Sequence, residues 1–124
     1  MPHFDSFDDF YPFYLSQHSK RGTRLMHFAG TALGAAIGIK ALAIGPRREI
    51  IAAPIVSYGC AWLSHFLIEH NKPATWGEPL YSLRGDLTML YEMARGRDAE
   101  LQRIADEYLA AEIFTLDDDD TEAA

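Results

Sequence analysis

Two apolar stretches decide the fold of this chain: residues 25–45, LMHFAGTALGAAIGIKALAIG, and residues 50–68, IIAAPIVSYGCAWLSHFLI. The first carries one formal charge, on Lys40, and the second carries none. Each stretch is close to the length of about 20 residues that crosses a hydrocarbon core as a helix. The sequence therefore predicts two membrane-spanning helices. The alternative is a pair of buried helices in a soluble bundle. A soluble helical bundle with a di-metal site is a third option.

The link between the two stretches is Gly45-Pro46-Arg47-Arg48. Glycine commonly ends a helix and proline cannot continue one, so a short link of this kind predicts an antiparallel hairpin. Basic residues lie at both ends of that hairpin. Two basic residues, Arg47 and Arg48, lie at the loop. Four basic residues lie at the other end: Lys20, Arg21, Arg24 and Lys72. This excess favours a cytoplasmic location for both termini.

Other helical patterns flank the hairpin. Aromatic residues recur at helical spacing between positions 4 and 14, which is typical of a helix lying against lipid headgroups or, equally, of a core-packing stripe. Residues 81–95 and 98–113 also have the periodicity of amphipathic helices. We therefore predict an all-α protein of four to five helices, a membrane hairpin with flanking interfacial or amphipathic helices. Residues 1–114 form its single domain, and residues 115–124 form a disordered acidic tail.

Composition excludes several classes of function. The net charge is -7, and the acids are concentrated at the two ends of the chain, so the near-neutral body has no footprint for nucleic acid. Cys60 is the only cysteine, which excludes an intramolecular disulfide and a zinc site built from thiolates.

Three glycines in the first apolar stretch are spaced four residues apart: Gly30, Gly34 and Gly38. Small residues at this spacing let two helix backbones approach closely in lipid. The ladder predicts helix association, including a homo-oligomer. It also supports the main alternative to an enzyme, a non-catalytic membrane scaffold whose histidines only pack.

Four histidines lie in two groups, one before or within the first apolar stretch and one at the end of the second. His27 precedes Pro46 by nineteen residues and His65 follows it by nineteen. In an antiparallel hairpin these two side chains return to the same level. The same reasoning brings His18 and His70 to that end, with Gly22 expected to break the helix so that the chain folds back over the site.

Such a group is typical of a metal site. His65 and Glu69 are an i, i+4 pair on one helix face, and we predict a site built from His18, His27, His65, His70 and Glu69. Imidazoles with a carboxylate and no thiolate suit non-haem Fe(II), and zinc or manganese less well. Asp86 is expected either to orient a ligand imidazole from behind or to stabilise a helix N-terminus.

Several ordered segments resemble one known family. They are FYPFYLSQHS at 10–19, LMHFAGT at 25–31, WLSHFLIE at 62–69, NKPAT at 71–75 and PLYSLRGD at 79–86. The chain is similar over residues 8–97 to the domain-of-unknown-function family 962 of small membrane proteins. Two positions depart from that family's pattern: Thr23 replaces a common asparagine, and Ser64 replaces a common glycine.

The resemblance implies a function. A characterised member of the family is an Fe(II)-dependent dioxygenase that shortens 2-hydroxy long-chain fatty acids by one carbon. It implies Fe(II) as cofactor, dioxygen and a 2-hydroxy fatty acid as substrates, and an integral membrane location, either the bacterial inner membrane or the endoplasmic reticulum. The catalytic residues would be His18, His27, His65 and Glu69. A basic side chain would hold the substrate carboxylate: Lys20, Arg21 or Arg24.

Overall fold

The computed structural model describes residues 2–122, and within them the fold is all-α, as predicted. Five α-helices make up this part of the chain: α1 (Phe7–Ser16), α2 (Arg21–Ala43), α3 (Ala52–Ser64), α4 (Pro79–Ala94) and α5 (Asp98–Glu122). Short helical turns connect them at Arg47–Ile51, His65–Glu69 and Ala74–Trp76. The predicted hairpin corresponds to α2 and α3.

The glycine ladder of α2 packs inside the hairpin. A Cβ atom on Gly30 would lie 2.5 Å from the Cβ of Cys60, and one on Gly34 would lie 2.1 Å from the Oγ of Ser57. Gly30 thus faces Cys60, and Gly34, one turn later in α2, faces Ser57, which is earlier in α3. The two helices are therefore antiparallel. Because α3 of the same chain covers the ladder, the predicted homo-oligomer through these glycines is not supported.

The ends of the hairpin determine where the histidines lie. Gly45 has a φ of +82°, which glycine adopts readily, and it reverses the chain between α2 and α3. At the other end, α3 runs directly into the π-helical turn His65–Glu69. Gly22 was expected to break the helix ahead of His27, but it lies within α2. The chain turns earlier, at residues 17–20, where His18 lies.

Helix α1 forms the core of the rest of the molecule. Phe10, Tyr14 and Leu15 are completely buried, and they pack against residues of α4 and α5, including Met89 and Leu101. Ser6 caps the helix by accepting a hydrogen bond from the Asp9 amide at 3.2 Å. Of the two interpretations of the aromatic stripe, core packing therefore describes its buried face.

The outer faces of the hairpin remain exposed. Residues Arg21–Ala43 and Arg47–Glu69 are each long and apolar enough to cross a membrane, and only 22% and 17% of their most apolar stretches are buried. Large side chains such as Leu33, Ile39 and Ile55 are more than half exposed. Packing within the chain therefore leaves a large apolar surface of the hairpin uncovered, which is unusual for a soluble monomer.

Helix α5 differs from the prediction at its end. The sequence predicts disorder from residue 115, but the helix continues through residue 122; residues 123 and 124 lie outside the described part. Neither glycine nor proline interrupts residues 98–122, so the backbone hydrogen bonds of the helix can continue without a break. The side chains of residues 110–121 are all exposed, so this extension contributes none of its side chains to the buried core.

Candidate metal centre

Three buried imidazoles meet at one end of the hairpin. His18 comes from the turn after α1, His27 from the second turn of α2, and His65 from the junction of α3 with the π-helical turn. Their ring centroids are 4.5 to 5.1 Å apart, and the rings are nearly perpendicular to one another. One ring nitrogen of each lies within 4.8 Å of the others. The predicted return of His27 and His65 to the same level is confirmed.

Hydrogen bonds define the protonation of two of these rings. The Nδ1 of His18 lies 2.7 Å from the carbonyl oxygen of Tyr14, and the Nδ1 of His27 lies 2.9 Å from that of Thr23. A carbonyl oxygen only accepts, so each Nδ1 must carry the proton. In the neutral rings both Nε2 atoms therefore present lone pairs, and these two atoms face each other at 3.2 Å.

The third ring is oriented by Asn71. The Nδ2 of Asn71 donates to the backbone oxygen of Gln17 at 2.9 Å, so its Oδ1 faces the Nδ1 of His65, 2.7 Å away. His65 therefore donates from Nδ1 and presents its Nε2 lone pair. All three imidazoles are in the same tautomer, with the second nitrogen held by an oxygen, which is how proteins orient metal-binding histidines.

Burial keeps the first of these rings neutral. His18 is 1% exposed, and this burial, together with the neighbouring imidazoles, holds its pKa well below the usual range. A metal ligand must be a neutral imidazole. The site is therefore able to accept a cation without first losing a proton from His18.

Asp86 lies on the open side of the cluster. One of its carboxylate oxygens is 4.0 Å from the Nε2 of His27 and also accepts a hydrogen bond from the Tyr14 hydroxyl. Burial raises the pKa of Asp86 to about 6. Gly85 permits this approach, because a Cβ there would lie 2.9 Å from the Tyr14 ring. Of its two expected roles, Asp86 neither supports an imidazole from behind nor lies in the first turn of α4; its carboxylate lies on the Nε2 side of His27.

The geometry fits a divalent transition metal. Three neutral nitrogen donors converge from three chain segments, and no thiolate lies among them. Three protein ligands leave coordination positions for exogenous molecules, as in catalytic sites.

The sequence of the chain matches the family model described as 2-hydroxy-palmitic acid dioxygenase Mpo1-like, over residues 4–98. The chain belongs to the Mpo1-like family. No curated protein and no solved structure matches it. The matched residues include the whole histidine cluster and Asp86. The family match confirms the resemblance drawn from the sequence motifs.

Glu69 does not join the cluster in this Mpo1-like chain. Its carboxylate accepts hydrogen bonds from the backbone amides of Ser19 and Lys20, at 2.8 and 3.1 Å, and from the hydroxyls of Ser19 and Thr23. These donors form the N-terminal end of α2, where a carboxylate is favoured. The i, i+4 spacing of His65 and Glu69 predicted that both bind one metal. The two residues lie in a π-helical turn, where side chains four residues apart no longer have the α-helical alignment on one face.

Arg24 is also placed differently from its predicted role as a substrate anchor. Its side chain is 1% exposed, and its guanidinium nitrogens donate to the carboxylate of Asp98, the side chain of Gln102 and the backbone oxygens of His18 and Ser19. Five donor contacts use the full capacity of the group. Arg24 therefore fastens the His18 turn to α5 and has no donor left for a carboxylate.

The other two basic candidates lie on the surface. Lys20 donates from Nζ to the backbone oxygen of Ile68 at 2.7 Å, and Arg21 lies 3.6 Å from Asp98. Neither belongs to the group of side chains around the imidazoles.

His70 acts through its backbone. Its side chain is exposed and is not among the converging ligand atoms, although the sequence predicted it as a ligand. Its φ of 59° is left-handed, and this ends the π-helical turn and directs the chain so that Asn71 reaches back to His65.

Both positions that depart from the family pattern lie behind His27. Thr23 accepts from its Nδ1 through the backbone, and the Oγ of Ser64 lies 3.3 Å from the same nitrogen. The Ser64 side chain is therefore on the Nδ1 side of His27, and the Thr23 hydroxyl donates to Glu69 at 2.6 Å instead.

Sequence reasoning did not assign roles to Asn71, Tyr14 or Gln17. Asn71 had one signal: it is a carboxamide two residues after the acid of a recognised histidine motif. Tyr14 was hidden in the aromatic stripe, because nothing in the sequence distinguishes a packing tyrosine from one that hydrogen-bonds Asp86.

Proposed function

We propose that this protein is an iron-dependent dioxygenase of 2-hydroxy long-chain fatty acids, held in a membrane by the α2–α3 hairpin. One observation carries the proposal: three buried imidazoles share one tautomer and direct their lone pairs at a common point. In an Mpo1-like chain, this is the arrangement expected of a metal centre.

His18, His27 and His65 would hold the metal. Nitrogen donors without thiolate suit Fe(II), which, when bound, supplies the ability to activate dioxygen for reaction with an organic substrate. The chain's own contribution is to hold the imidazoles. Asn71 and the carbonyls of Tyr14 and Thr23 supply the supporting hydrogen bonds, and such bonds increase the basicity of the ligand nitrogens.

Asp86 and Tyr14 would orient the substrate. Asp86 offers a carboxylate oxygen on the open side of the imidazoles, where a 2-hydroxyl group can donate to it. The Tyr14 hydroxyl donates to Asp86 and holds it in place. Because Tyr14 is completely buried and Asp86 largely so, this pair also excludes bulk water from the reacting end of the substrate.

The overall reaction balances without a reductant. A 2-hydroxy acid and one dioxygen give a fatty acid shorter by one carbon, carbon dioxide and water. The carbon–carbon bond between the carboxyl carbon and its neighbour breaks, and the two carbons together lose the four electrons that dioxygen gains.

The membrane location rests on the exposed faces of the hairpin. Most of a soluble protein's apolar helix would be buried, whereas these two segments bury about one fifth of their most apolar stretches. A bilayer would cover the rest. Exposed Lys20 and Arg21 lie at the end with the metal centre, and Arg47 and Arg48 lie at the loop. Together with Lys72, the two bases at the metal-centre end outnumber the two loop arginines, which supports cytoplasmic termini.

The test combines metal analysis with oxygen uptake. Protein purified anaerobically in detergent is expected to bind about one iron per chain. It should consume dioxygen with 2-hydroxypalmitate but not with palmitate. His27→Ala and His65→Ala should abolish both iron binding and uptake, whereas His70→Ala, an exposed imidazole from the same segment, should retain both. Oxygen uptake that survives in both His27→Ala and His65→Ala defeats the proposal. Absence of any transition metal favours the non-catalytic scaffold.

A further inference from the structure

A cavity of about 200 Å³ lies beside the imidazole cluster, between α2, α3 and α4. Its inner end is formed by His27 and Asp86, and its walls include Thr31, Ala61, Leu83 and Leu87. The cavity therefore touches the same open side of the cluster that Asp86 faces.

The lining of this cavity is mostly apolar, with its one carboxylate beside its one imidazole. His27 and Asp86 supply the imidazole and the carboxylate of its wall, and Thr31, Ser57 and Tyr58 add hydroxyls. The Ser57 hydroxyl already donates to the backbone oxygen of Gly30 at 3.2 Å, and the rest of the wall is hydrocarbon or aromatic. A site of this kind is complementary to an amphiphile with one apolar chain and a small polar head. A compact polar metabolite would leave the apolar wall unused.

The outer side of the cavity opens onto the apolar surface of the hairpin. Leu83 is 47% exposed, Leu87 is 58% exposed and Tyr58 is 38% exposed. The second helix of the hairpin continues this surface through Ile55 and Trp62, which are also exposed. If the hairpin lies in a bilayer, the opening faces acyl chains rather than water.

We propose that this cavity binds the head-proximal part of a single acyl chain, and that the chain moves in sideways from the bilayer between α3 and α4. The proposal rests on the proposed function and adds where the substrate lies. The hydroxyl end contacts Asp86 and the metal side of His27, and the first carbons fill the space between Thr31 and Leu87. The rest of the chain extends into lipid, because the cavity is too small to enclose a long chain.

The arrangement has a consequence for specificity. The cavity encloses only the acyl carbons near the head group of the substrate. The shape of the cavity therefore selects among substrates at those carbons and not at the distal ones. Substitutions inside the cavity should therefore affect binding of every chain length similarly, and branching near the head group should be rejected.

The test measures where a substrate analogue binds, by photolabelling, and does not depend on enzymatic turnover. The probe is a 2-hydroxy fatty acid with a diazirine on a carbon close to the head, incubated in the dark with metal-loaded protein under nitrogen in phosphatidylcholine nanodiscs. After irradiation, labelled peptides are mapped by mass spectrometry. The labels are expected on the residues of α2, α3 and α4 that line the cavity, including Thr31 and Leu87.

Matched variants test the cavity itself. Thr31→Phe fills it and should reduce labelling roughly tenfold, equivalent to losing one or two buried methylene contacts. Ala36→Phe adds the same ring to an exposed position of the same helix and should leave labelling unchanged. If Thr31→Phe does not fold, Leu87→Trp replaces it, with Leu80→Trp at the 81% exposed Leu80 as its control.

The outcomes separate this inference from the proposed function. Labelling confined to the outer faces of the hairpin, or unaffected by both cavity-filling variants, overturns the cavity assignment even when oxygen uptake is present. Correct labelling without oxygen uptake under aerobic conditions supports the lipid site and refutes the dioxygenase. Equal labelling by a probe with a branch beside the head group also contradicts the proposal.

Discussion

The Nε2 atoms of His18 and His27 face each other at 3.2 Å, and neither carries the proton of its ring. Two lone pairs at this distance repel each other unless a cation or a proton lies between them. We therefore expect a divalent metal to stabilise the folded protein.

Metal removal tests this relationship. Zn(II) at 100 times its Kd should raise the free energy of unfolding by about 2.7 kcal/mol, and chelation should reverse the gain. The measurement is thermal or denaturant unfolding in detergent with and without metal. His70→Ala should show the same gain as the parent protein, whereas His65→Ala should show little; an equal gain in His65→Ala would contradict the assignment.

Asn71 should control metal affinity through His65. Asn71→Ala removes the acceptor 2.7 Å from Nδ1, so the ring loses its fixed orientation and metal affinity should fall about 10- to 100-fold. Competition with a chromophoric chelator measures it. Asn71→Asp, which keeps an acceptor oxygen, should recover part of the affinity, and Lys72→Ala at the exposed neighbouring position should match the parent. Unchanged affinity in Asn71→Ala would show that the ring is oriented by packing alone.

Arg24 and Arg21 both lie near Asp98, so Arg21 serves as the control for the effect of Arg24 on stability. Arg24→Ala leaves two backbone oxygens and the partly exposed Asp98 carboxylate without their donor, at a cost of about 1–3 kcal/mol. Arg21 is 72% exposed on its side chain and 3.6 Å from the same carboxylate, so Arg21→Ala should cost at most about 1 kcal/mol. Denaturant unfolding distinguishes them, and similar losses in both variants would refute the anchoring role.

Two glycines should respond in opposite directions to alanine. In Gly34→Ala the new Cβ would meet Ala53 O at 2.7 Å and Ser57 Oγ at 2.1 Å, so the hairpin must separate at a cost of about 1–3 kcal/mol or more. Gly59→Ala meets nothing within 4 Å and should stabilise α3 by up to about 1 kcal/mol. Thermal unfolding provides the comparison. Stabilisation by Gly34→Ala would mean that α2 and α3 are not packed as described.

The buried carboxyl of Asp86 predicts a pH dependence. Its folded pKa of about 6 exceeds its ordinary value of 3.8 because burial disfavours the charged form. The folded state therefore binds the proton more tightly, and the Asp86 contribution to stability rises as pH falls from about 6 to 3.8. Above pH 6 the ionised group costs about 3 kcal/mol.

The matching variant is Asp86→Asn, measured without metal. It should be more stable than the parent at pH 8 by up to about 3 kcal/mol, and the difference should disappear near pH 4. Asp106→Asn on the exposed face of α5 should show no such change. A constant difference across this range would mean that Asp86 has an ordinary pKa in the folded protein.

The sequence by itself determined the all-α class, the hairpin and the approach of two distant histidines. These follow from local rules: uncharged stretches of helical length, a Gly-Pro link, and a constant rise per residue that returns position 65 to the level of position 27. The family assignment was equally available from ordered motifs. None of these inferences needs to know how side chains pack.

Only the tertiary structure decided which polar residues hold the site and which hold the fold. Glu69 and Arg24 are charged residues close to the histidines in sequence, and Asp86 lies sixteen residues after His70; spacing could not assign a role to any of the three. Their roles depend on what each buried charge meets: Glu69 meets the amides of α2, Arg24 meets Asp98 of α5, and Asp86 meets Tyr14 and the imidazoles. A buried charge must find its partners in three dimensions, because the energetic penalty for leaving it unpaired exceeds any local preference.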